Sequence, residues 1–232
     1  MALYSIADLT VQMDPSGRTA VQAEPYKVEQ GTAGMTLEYD SVGTLERHPE
    51  LQDMDKAEYM ASGGAFARAL LDHDGFQLHA SAVILNGYAY LFSAPSGTGK
   101  STHTEKWVRL FGARYLNDDK PALRHTQNGW MAYGTPWSGK HDLSAPEKAK
   151  LGAVAFVTRG EENSIQPMTA QEAVPYFISQ LLRYISADQM MKQLELLDRL
   201  LQTVPVYMLT CRNDDEAAFV ARRAMEVTDG NN

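Results

Sequence analysis

A glycine-rich segment with hydroxyl side chains, SAPSGTGKST over residues 93–102, has the residue types needed to bind a phosphate group. It matches the phosphate-binding loop (P-loop, Walker A) pattern G-x-x-x-x-G-K-[ST] at Gly99, Lys100 and Ser101, with Ala94 at the position of the first glycine. An apolar run precedes the segment, and a helical pattern begins at the lysine. The strand–loop–helix order favours a phosphate site over a glycine turn that merely starts a helix.

Each residue type in this loop has a physical role in holding a nucleotide. Gly97 and Gly99 let backbone N–H groups point inward without a Cβ in the way, and the helix start adds a positive dipole end. Lys100 would face the β- and γ-phosphates, and the Ser101 hydroxyl would ligate Mg²⁺, which keeps most of its water. The predicted binding set is Ser96, Gly97, Thr98, Gly99, Lys100, Ser101 and Thr102.

An acidic pair, Asp118-Asp119, follows Lys100 by 18 residues, enough for one helix, a turn and a short strand. The end of that strand would lie beside the P-loop, where ligands bind in open α/β sheets. One carboxylate could hold Mg²⁺ through water, and the other could accept a proton from an attacking hydroxyl. Asn-Asp-Asp is also a common turn sequence, but its position behind a P-loop favours the chemical interpretation.

Two further residues are candidates for the same chemistry. His79 stands just before a predicted strand, where a structural, hydrogen-bonded histidine is the simpler interpretation on its own. Residues 134–148 form a predicted loop rich in Gly and Pro, in which Lys140 could supply a second cation to the transferring phosphoryl group. Within it, Pro136-Trp137 between Gly134 and Gly139 predicts a stiff tip on a mobile lid; an ordinary surface connection is the alternative.

Composition limits the classes of protein. The 232 residues include 44% hydrophobic residues and carry a formal charge of −8, which fits a globular domain and disfavours broad nucleic-acid binding. Cys211 is the single cysteine, so neither an internal disulfide nor a cysteine zinc site is expected. The first residues lack a basic stretch followed by a long apolar one, so no leader is expected, and no run of about 18 apolar residues occurs. The expectation is a cytoplasmic protein without a membrane partner.

The elements that must position these residues are predicted from periodicity. Apolar runs at 80–85 and 88–92 flank Asn86-Gly87, the strongest short hairpin signal. Short strands and turns are predicted in residues 1–45, a helix over 54–72 interrupted at Gly63-Gly64, and helices over 100–111, 170–186, 188–203 and 214–227. The prediction is one α/β fold, with a strand-rich N-terminal portion plus helix (1–75) packed on a P-loop domain (76–232).

Taken together, LHASAV over 78–83, the P-loop and LNDD over 116–119 resemble the catalytic domain of HPr kinase/phosphorylase and its relative, the ATP-dependent phosphoenolpyruvate carboxykinase. The resemblance covers about residues 76–160. It implies the phosphoenolpyruvate carboxykinase-like, HPr kinase C-terminal-domain-like P-loop fold. It further implies that His79 approaches the transferred phosphate, that Lys100 and Ser101 bind phosphate and metal, and that Asp118 and Asp119 share metal contact and proton acceptance, with Asp119 preferred as the base.

The sequence departs from that family at one signature. The family's Arg-Gly-Leu-Gly stretch and the metal-binding glutamate before it correspond here to YGTPWSGK over 133–140, which has no glutamate. The resemblance therefore implies an ATP- and Mg²⁺-dependent kinase that acts on a hydroxyl of a peptide, a protein serine or a small molecule, rather than the bifunctional enzyme. A nucleotide-binding regulator or assembly protein without turnover is the alternative. An apolar face at helical spacing runs along 190–204, for which core packing is the favoured interpretation; contact with a second copy of the chain or another partner is the alternative.

Overall fold

A computed structural model of the protein describes residues 1–184 and 186–227. The strands are β1 (Ala2–Ile6), β2 (Leu9–Met13), β3 (Lys27–Val28), β4 (Met35–Thr36), β5 (Gly75–Gln77), β6 (Ala80–Leu85), β7 (Tyr88–Ser93), β8 (Arg114–Asn117), β9 (Ala122–Thr126), β10 (Gly129–Tyr133), β11 (Lys148–Arg159), β12 (Ser164–Pro167) and β13 (Val206–Cys211). The helices are α1 (Gly17–Ala23), α2 (Ser41–Arg47), α3 (Met54–Leu70), α4 (Lys100–Phe111), α5 (Ala170–Gln180), α6 (Ala187–Leu201) and α7 (Glu216–Met225). The protein is a mixed α/β fold.

A nine-stranded sheet carries the sequence motifs. Its main order is β5-β9-β10-β11-β7-β6-β8, and β13 and β12 continue from the second half of β11. β7, β11 and β13 run parallel to one another, whereas β6 is antiparallel to β7 and β8 is antiparallel to β6. The ends of β7, β8, β11 and β13 and the beginning of β6 therefore meet at one edge of the sheet, which we call the motif edge.

The central hairpin forms as the sequence predicts. Asn86 and Gly87 have φ angles of 51° and 83°, the left-handed pair of a two-residue turn that matches strand twist. β6 and β7 then pair in register from Leu85↔Tyr88 to Ala80↔Ser93. Because the register is fixed, the start of β6 is held beside the beginning of the P-loop.

The N-terminal region has the predicted short strands and turns. The chain turns back at Ala7-Asp8, whose φ angles are 55° and 57°, and forms the hairpin of β1 and β2. The segment also contains α1 and α2, where only strands and turns are predicted. α2 begins at a side-chain cap, since Asp40 accepts the N–H of Gly43 at 2.8 Å, and such a short helix has too few residues for a clear periodic pattern.

The helix α3 runs through Gly63-Gly64 without the predicted interruption. The two glycines have different surroundings. A Cβ on Gly63 would lie 2.9 Å from Cδ1 of Trp137, whereas a Cβ on Gly64 would approach only the side chain of Arg68, at 3.2 Å. Gly63 thus permits close packing of α3 on an indole ring, a long-range contact that no local pattern reveals.

We expect opposite stability changes from the same substitution at these two positions. Gly64→Ala should raise the free energy of unfolding by about 0.5–1 kcal/mol, because alanine favours the helix. Gly63→Ala should lower it, because the cost of overpacking against a ring, about 1–3 kcal/mol, outweighs that gain. Urea unfolding of both variants measures the difference. Equal stabilisation of the two would show that α3 does not pack on Trp137 at Gly63.

The N-terminal region and the large sheet share apolar packing. Residues of β1 and β2 form one buried cluster with Phe66, Tyr133 and Trp137. The division of the chain at residue 75 stays a prediction. In the last third, α5 ends at Gln180 rather than near 186, because Leu181 leaves the helix and pairs with Leu78 in an isolated bridge. Within the described residues, no helix has both the length and the apolar character to cross a membrane.

Candidate functional site

The P-loop connects β7 to α4 at the motif edge. Gly97 and Gly99 have φ angles of 78° and 114°, which side-chain-bearing residues rarely adopt. A Cβ at either position would meet no atom within 4 Å. The backbone conformation, rather than crowding, therefore requires glycine, and the space above the loop is open. Pro95, Ser96 and Gly97 are exposed, so a ligand can approach from solvent.

Lys100 lies within this loop rather than in solvent. Its side chain is buried, and Nζ donates a hydrogen bond to the carbonyl oxygen of Ala94 at 2.8 Å. Burial lowers the pKa of Lys100, and the negative charges of Asp119 and Asp118 act in the opposite direction. The ammonium group is thus close to both carboxylates and to the start of the loop. Ser101 is half-buried and Thr102 is exposed in the first turn of α4.

Asp118 is buried against α4. Its Oδ1 accepts the hydroxyl of Ser81 at 2.6 Å, and the Ser81 Oγ lies 2.8 Å from Oγ1 of Thr104. The pair of hydroxyls links the carboxylate on one side to α4 on the other, at Thr104, which is one helical turn after Ser101. No donor among residues 1–184 and 186–227 reaches Oδ2 within hydrogen-bond distance, so one oxygen is held and the other is free of protein hydrogen bonds.

Asp119 and His79 form a pair at the motif edge. His79 Nε2 lies 3.3 Å from Asp119 Oδ1, and Nδ1 lies 2.8 Å from Oε1 of Gln180. The backbone holds the two residues together, since the N–H of Ala80 donates to the carbonyl of Asp119 at 3.0 Å. Burial by itself would raise the pKa of Asp119, but the hydrogen bond from His79 and the charges of Lys120 and Lys100 leave that pKa below its usual value. Asp119 is thus an ionised, partly accessible carboxylate.

Asn117 positions this acidic turn, although no role is predicted for it from the sequence. Its Oδ1 accepts the backbone N–H groups of Asp119 at 2.9 Å and Lys120 at 2.7 Å, while Nδ2 donates to the carbonyl of Thr135 at 2.9 Å. The side chain is fully buried. The preference of asparagine for Asx turns is a local signal for the first two bonds; the third depends on the fold.

The first part of the predicted lid is buried rather than exposed. Residues 134–138 are buried, and Trp137 stacks on Phe66 with ring centroids 4.9 Å apart while Nε1 donates to the hydroxyl of Ser62 at 3.1 Å. The prediction of a mobile tip at Trp137 is therefore wrong, because the indole belongs to the core. Residues 140–142 and 146–148 are the exposed parts of this loop.

Lys140 lies at the exposed end of this loop. It forms no ion pair with the described residues, whereas Arg18 binds the neighbouring Asp142 at 2.7 Å. Gly139, the residue before it, packs so closely on Asp119 that a Cβ would lie 2.8 Å from the aspartate Cβ. The backbone next to Lys140 therefore touches the acidic turn, and a role of its ammonium group in catalysis stays a prediction.

Two cavities open beside these residues, on opposite sides of the P-loop along the motif edge. The P-loop cavity, about 500 Å³, lies on the β11–β13 side and is lined by Thr98, Thr102, Lys106, Arg159 and Arg212, among others. The His79 cavity, about 600 Å³, lies on the side of β6 and the acidic turn and is lined by residues that include Tyr59, His79, Asp119, Trp137 and Leu181.

Comparison with known proteins gives little information on the fold or the function of this chain. No model of a known protein family matches the chain, and no curated protein matches its sequence. A solved structure with some likeness is the Hpr(Ser) kinase/phosphatase from Coxiella burnetii, at 9% identity and a TM-score of 0.39, over 63% of this chain and 94% of that one. A likeness of this size supports neither a shared fold nor a shared activity, so the chemistry has to be argued from the site.

Proposed function

We propose that the protein is an ATP-dependent kinase that transfers the γ-phosphoryl group to a hydroxyl of a peptide, a protein serine or a small molecule. In this proposal the fold is the P-loop fold of the HPr kinase and phosphoenolpyruvate carboxykinase group. One observation carries the proposal: Asp119, hydrogen-bonded by His79, lies at the same sheet edge as Lys100 and interacts with its charge. A candidate phosphate-binding cation and a candidate base thus lie at one sheet edge, as transfer to an alcohol requires.

The residues present fit a magnesium-bound triphosphate. The left-handed glycines leave open space above the loop, and Asp118 has a carboxylate oxygen without a protein donor. Ser101 and Asp118 would hold Mg²⁺, which prefers oxygen ligands and retains water. When bound, the ion would offset the charge of the phosphate oxygens. The described residues contain no cluster of three or more acidic, His or Cys side chains that could hold a metal without the nucleotide.

The nucleoside end of ATP would occupy the P-loop cavity. Lys106, Arg159 and Arg212 line that cavity, and Arg159 already contacts the loop through the carbonyl of Gly97, at 2.6 Å. A triphosphate that follows the loop from this side would bring its γ-phosphate towards Lys100 and the acidic turn. The acceptor would then approach from the His79 cavity, on the other side.

In the transfer step, the oxygen of the acceptor hydroxyl bonds to the γ-phosphorus while the bond between the γ-phosphorus and ADP breaks. Asp119 accepts the proton that this hydroxyl loses. Lys100 balances charge on the phosphoryl oxygens. His79 keeps Asp119 ionised and fixes its orientation through the Oδ1 hydrogen bond, and Gln180 orients the imidazole in turn. A weak base suffices, because the loose transition state of phosphoryl transfer needs little help in deprotonating the nucleophile.

The pairing of His79 with Asp119 predicts a shift in pH dependence. His79→Ala removes a hydrogen bond and a charge that lower the pKa of Asp119, so that pKa should rise. Since Asp119 must be ionised to act as base, the acid limb of the turnover profile should move to higher pH, and turnover near neutrality should fall less than at about pH 4–5.

The matched control for this prediction is His48→Ala. The His48 side chain is 46% exposed and precedes α3 in the chain; among the charged groups that the structure describes, it contacts only Glu50, at 3.1 Å. Its profile should coincide with that of the wild type when turnover is measured between about pH 4 and pH 8. If the acid limb of the His79→Ala profile is not shifted, His79 has no influence on the catalytic base.

The assay that tests the function is formation of ADP on addition of hydroxyl acceptors, with Mg²⁺ or with a chelator in its place. Acceptor-dependent, Mg²⁺-dependent ADP formation is expected. Binding of Mg·ATP with no ADP formed with any acceptor class would instead favour a nucleotide-binding regulator.

A further inference from the structure

We infer that the His79 cavity is the acceptor site and that it selects a hydroxyl attached to a bulky apolar group; this inference rests on the proposed kinase function. The cavity shares no lining residue with the P-loop cavity. Asp119 and His79 both line it, so a molecule held there would present its hydroxyl to the proposed base. Its volume, about 600 Å³, is within the range of sites for small ligands or a few side chains.

Four polar side chains of this cavity are contiguous. Gln180 contacts His79, His79 contacts Asp119, and Asp119 lies 3.9 Å from the ammonium of Lys120. They form one polar cluster that can orient a hydroxyl. A reacting hydroxyl would therefore be directed to one part of the wall.

The remaining wall is largely apolar, although the exposed Arg183 also lines it. Met60, Ala67, Leu78, Trp137 and Leu181 line it. Leu78 and Trp137 are fully buried, Leu181 is nearly so, and all three are fixed by the sheet and by α3. An apolar group on the acceptor would lose its water against these side chains, whereas a charged group there would have to be desolvated.

The cavity exists because α3 has small side chains on the face that borders it. Residues 60, 63, 64 and 67 lie at helical spacing along this face, and they include Gly63, Gly64 and Ala67. A Cβ on Gly64 would meet only the flexible end of Arg68. A larger side chain at Gly64 can therefore enter the space without disturbing the packing of Trp137 on α3.

The test combines two variants with four probes. Gly64→Leu fills the cavity, and Lys56→Leu adds the same side chain to an exposed position of α3 outside it. The probes are blocked dipeptides of serine followed by phenylalanine, glycine or aspartate, and benzyl alcohol as a free apolar alcohol. Transfer from γ-labelled ATP and binding by calorimetry are measured for each, and Mg·ATP affinity is measured separately.

We expect the serine–phenylalanine peptide to exceed the serine–glycine peptide in kcat/KM by about tenfold to a hundredfold, as burial of one aromatic side chain allows. Gly64→Leu should lose most of that preference and at least tenfold in transfer to the phenylalanine peptide, with Mg·ATP affinity unchanged. Lys56→Leu should behave as the wild type. If transfer to benzyl alcohol is as efficient as transfer to the phenylalanine peptide, the acceptor is a small molecule. If only the peptide is phosphorylated, the acceptor is a peptide. Both results agree with an apolar acceptor.

The two proposals fail in different ways. If the aspartate or glycine peptide is phosphorylated as efficiently as the phenylalanine peptide, the apolar acceptor is wrong and the kinase proposal stands. The same conclusion holds if Gly64→Leu transfers the phosphoryl group at the wild-type rate. If the phenylalanine peptide or benzyl alcohol binds the wild type but not Gly64→Leu, and no transfer occurs, the apolar site stands and the kinase proposal is wrong. If no probe binds or is phosphorylated, the apolar acceptor is overturned, and the nucleotide assay above decides the rest.

Discussion

Asp119→Asn is expected to lower phosphoryl transfer by about 10²- to 10⁴-fold while Mg·ATP still binds, the range for loss of a general base. The amide keeps the shape of the carboxylate and its position in the turn, because Asn117 holds that turn through the backbone N–H of Asp119 rather than through its side chain. It cannot accept the proton of the acceptor. Single-turnover transfer with saturating ATP, together with nucleotide titration, separates the two effects.

Asp118→Asn is the matched variant, since it changes the neighbouring carboxylate in the same way. Asp118 accepts from Ser81 and faces α4, so its loss should raise the Mg²⁺ concentration needed for activity more than it lowers the rate at saturating Mg²⁺. If the two variants instead show the same mild loss, the pair is an acidic turn and neither residue has the role proposed for it.

The second large effect is expected in Lys100→Ala, which should abolish productive binding of Mg·ATP. The substitution removes the buried cation that lies close to both aspartates. In a thermal-shift titration the wild type should be stabilised by ligand according to mass action, about 2.7 kcal/mol at a hundredfold excess over Kd. The variant should show no ligand-dependent stabilisation.

Each variant in this titration has to be compared with its own ligand-free state. Lys100 Nζ donates to the carbonyl of Ala94, so its removal changes the stability of the free protein as well. Lys150→Ala, at an exposed position of β11, controls for loss of one positive charge. Undiminished stabilisation of Lys100→Ala by Mg·ATP would contradict the assignment of residues 93–102 as the phosphate-binding loop.

Local signals identified the central elements. Asn86-Gly87 predicts the β6–β7 hairpin because both residues tolerate positive φ, and the structure has that hairpin at 80–85 and 88–93. The helix predicted over 100–111 is α4 with the same bounds. The P-loop, α4 and β8 then bring the residues of three sequence motifs to the motif edge. His79 lies close to Asp119 because β6 pairs with both β7 and β8. The hairpin signal predicts the pairing with β7 but not the pairing with β8.

Features that depend on distant contacts could not be predicted. Trp137 follows Pro136 in a glycine-rich stretch and has the local pattern of an exposed loop, yet Phe66 and Ser62 of α3 bury it. Gly63-Gly64 has the local pattern of a helix break, but packing on that indole holds α3 intact. Asn117 contacts a loop 18 residues further along the chain, and the two cavities depend on which elements meet, information that periodicity does not contain.

The most direct measurement of the central claim is the destination of the label from γ-labelled ATP, counted on acceptor, free phosphate and unreacted ATP. With wild-type protein, Mg²⁺ and a serine-containing acceptor, the account predicts label on the acceptor hydroxyl, and with Asp119→Asn it predicts label retained in ATP that is still bound. Label that stays in bound ATP for the wild type as well, across all acceptors, would contradict it.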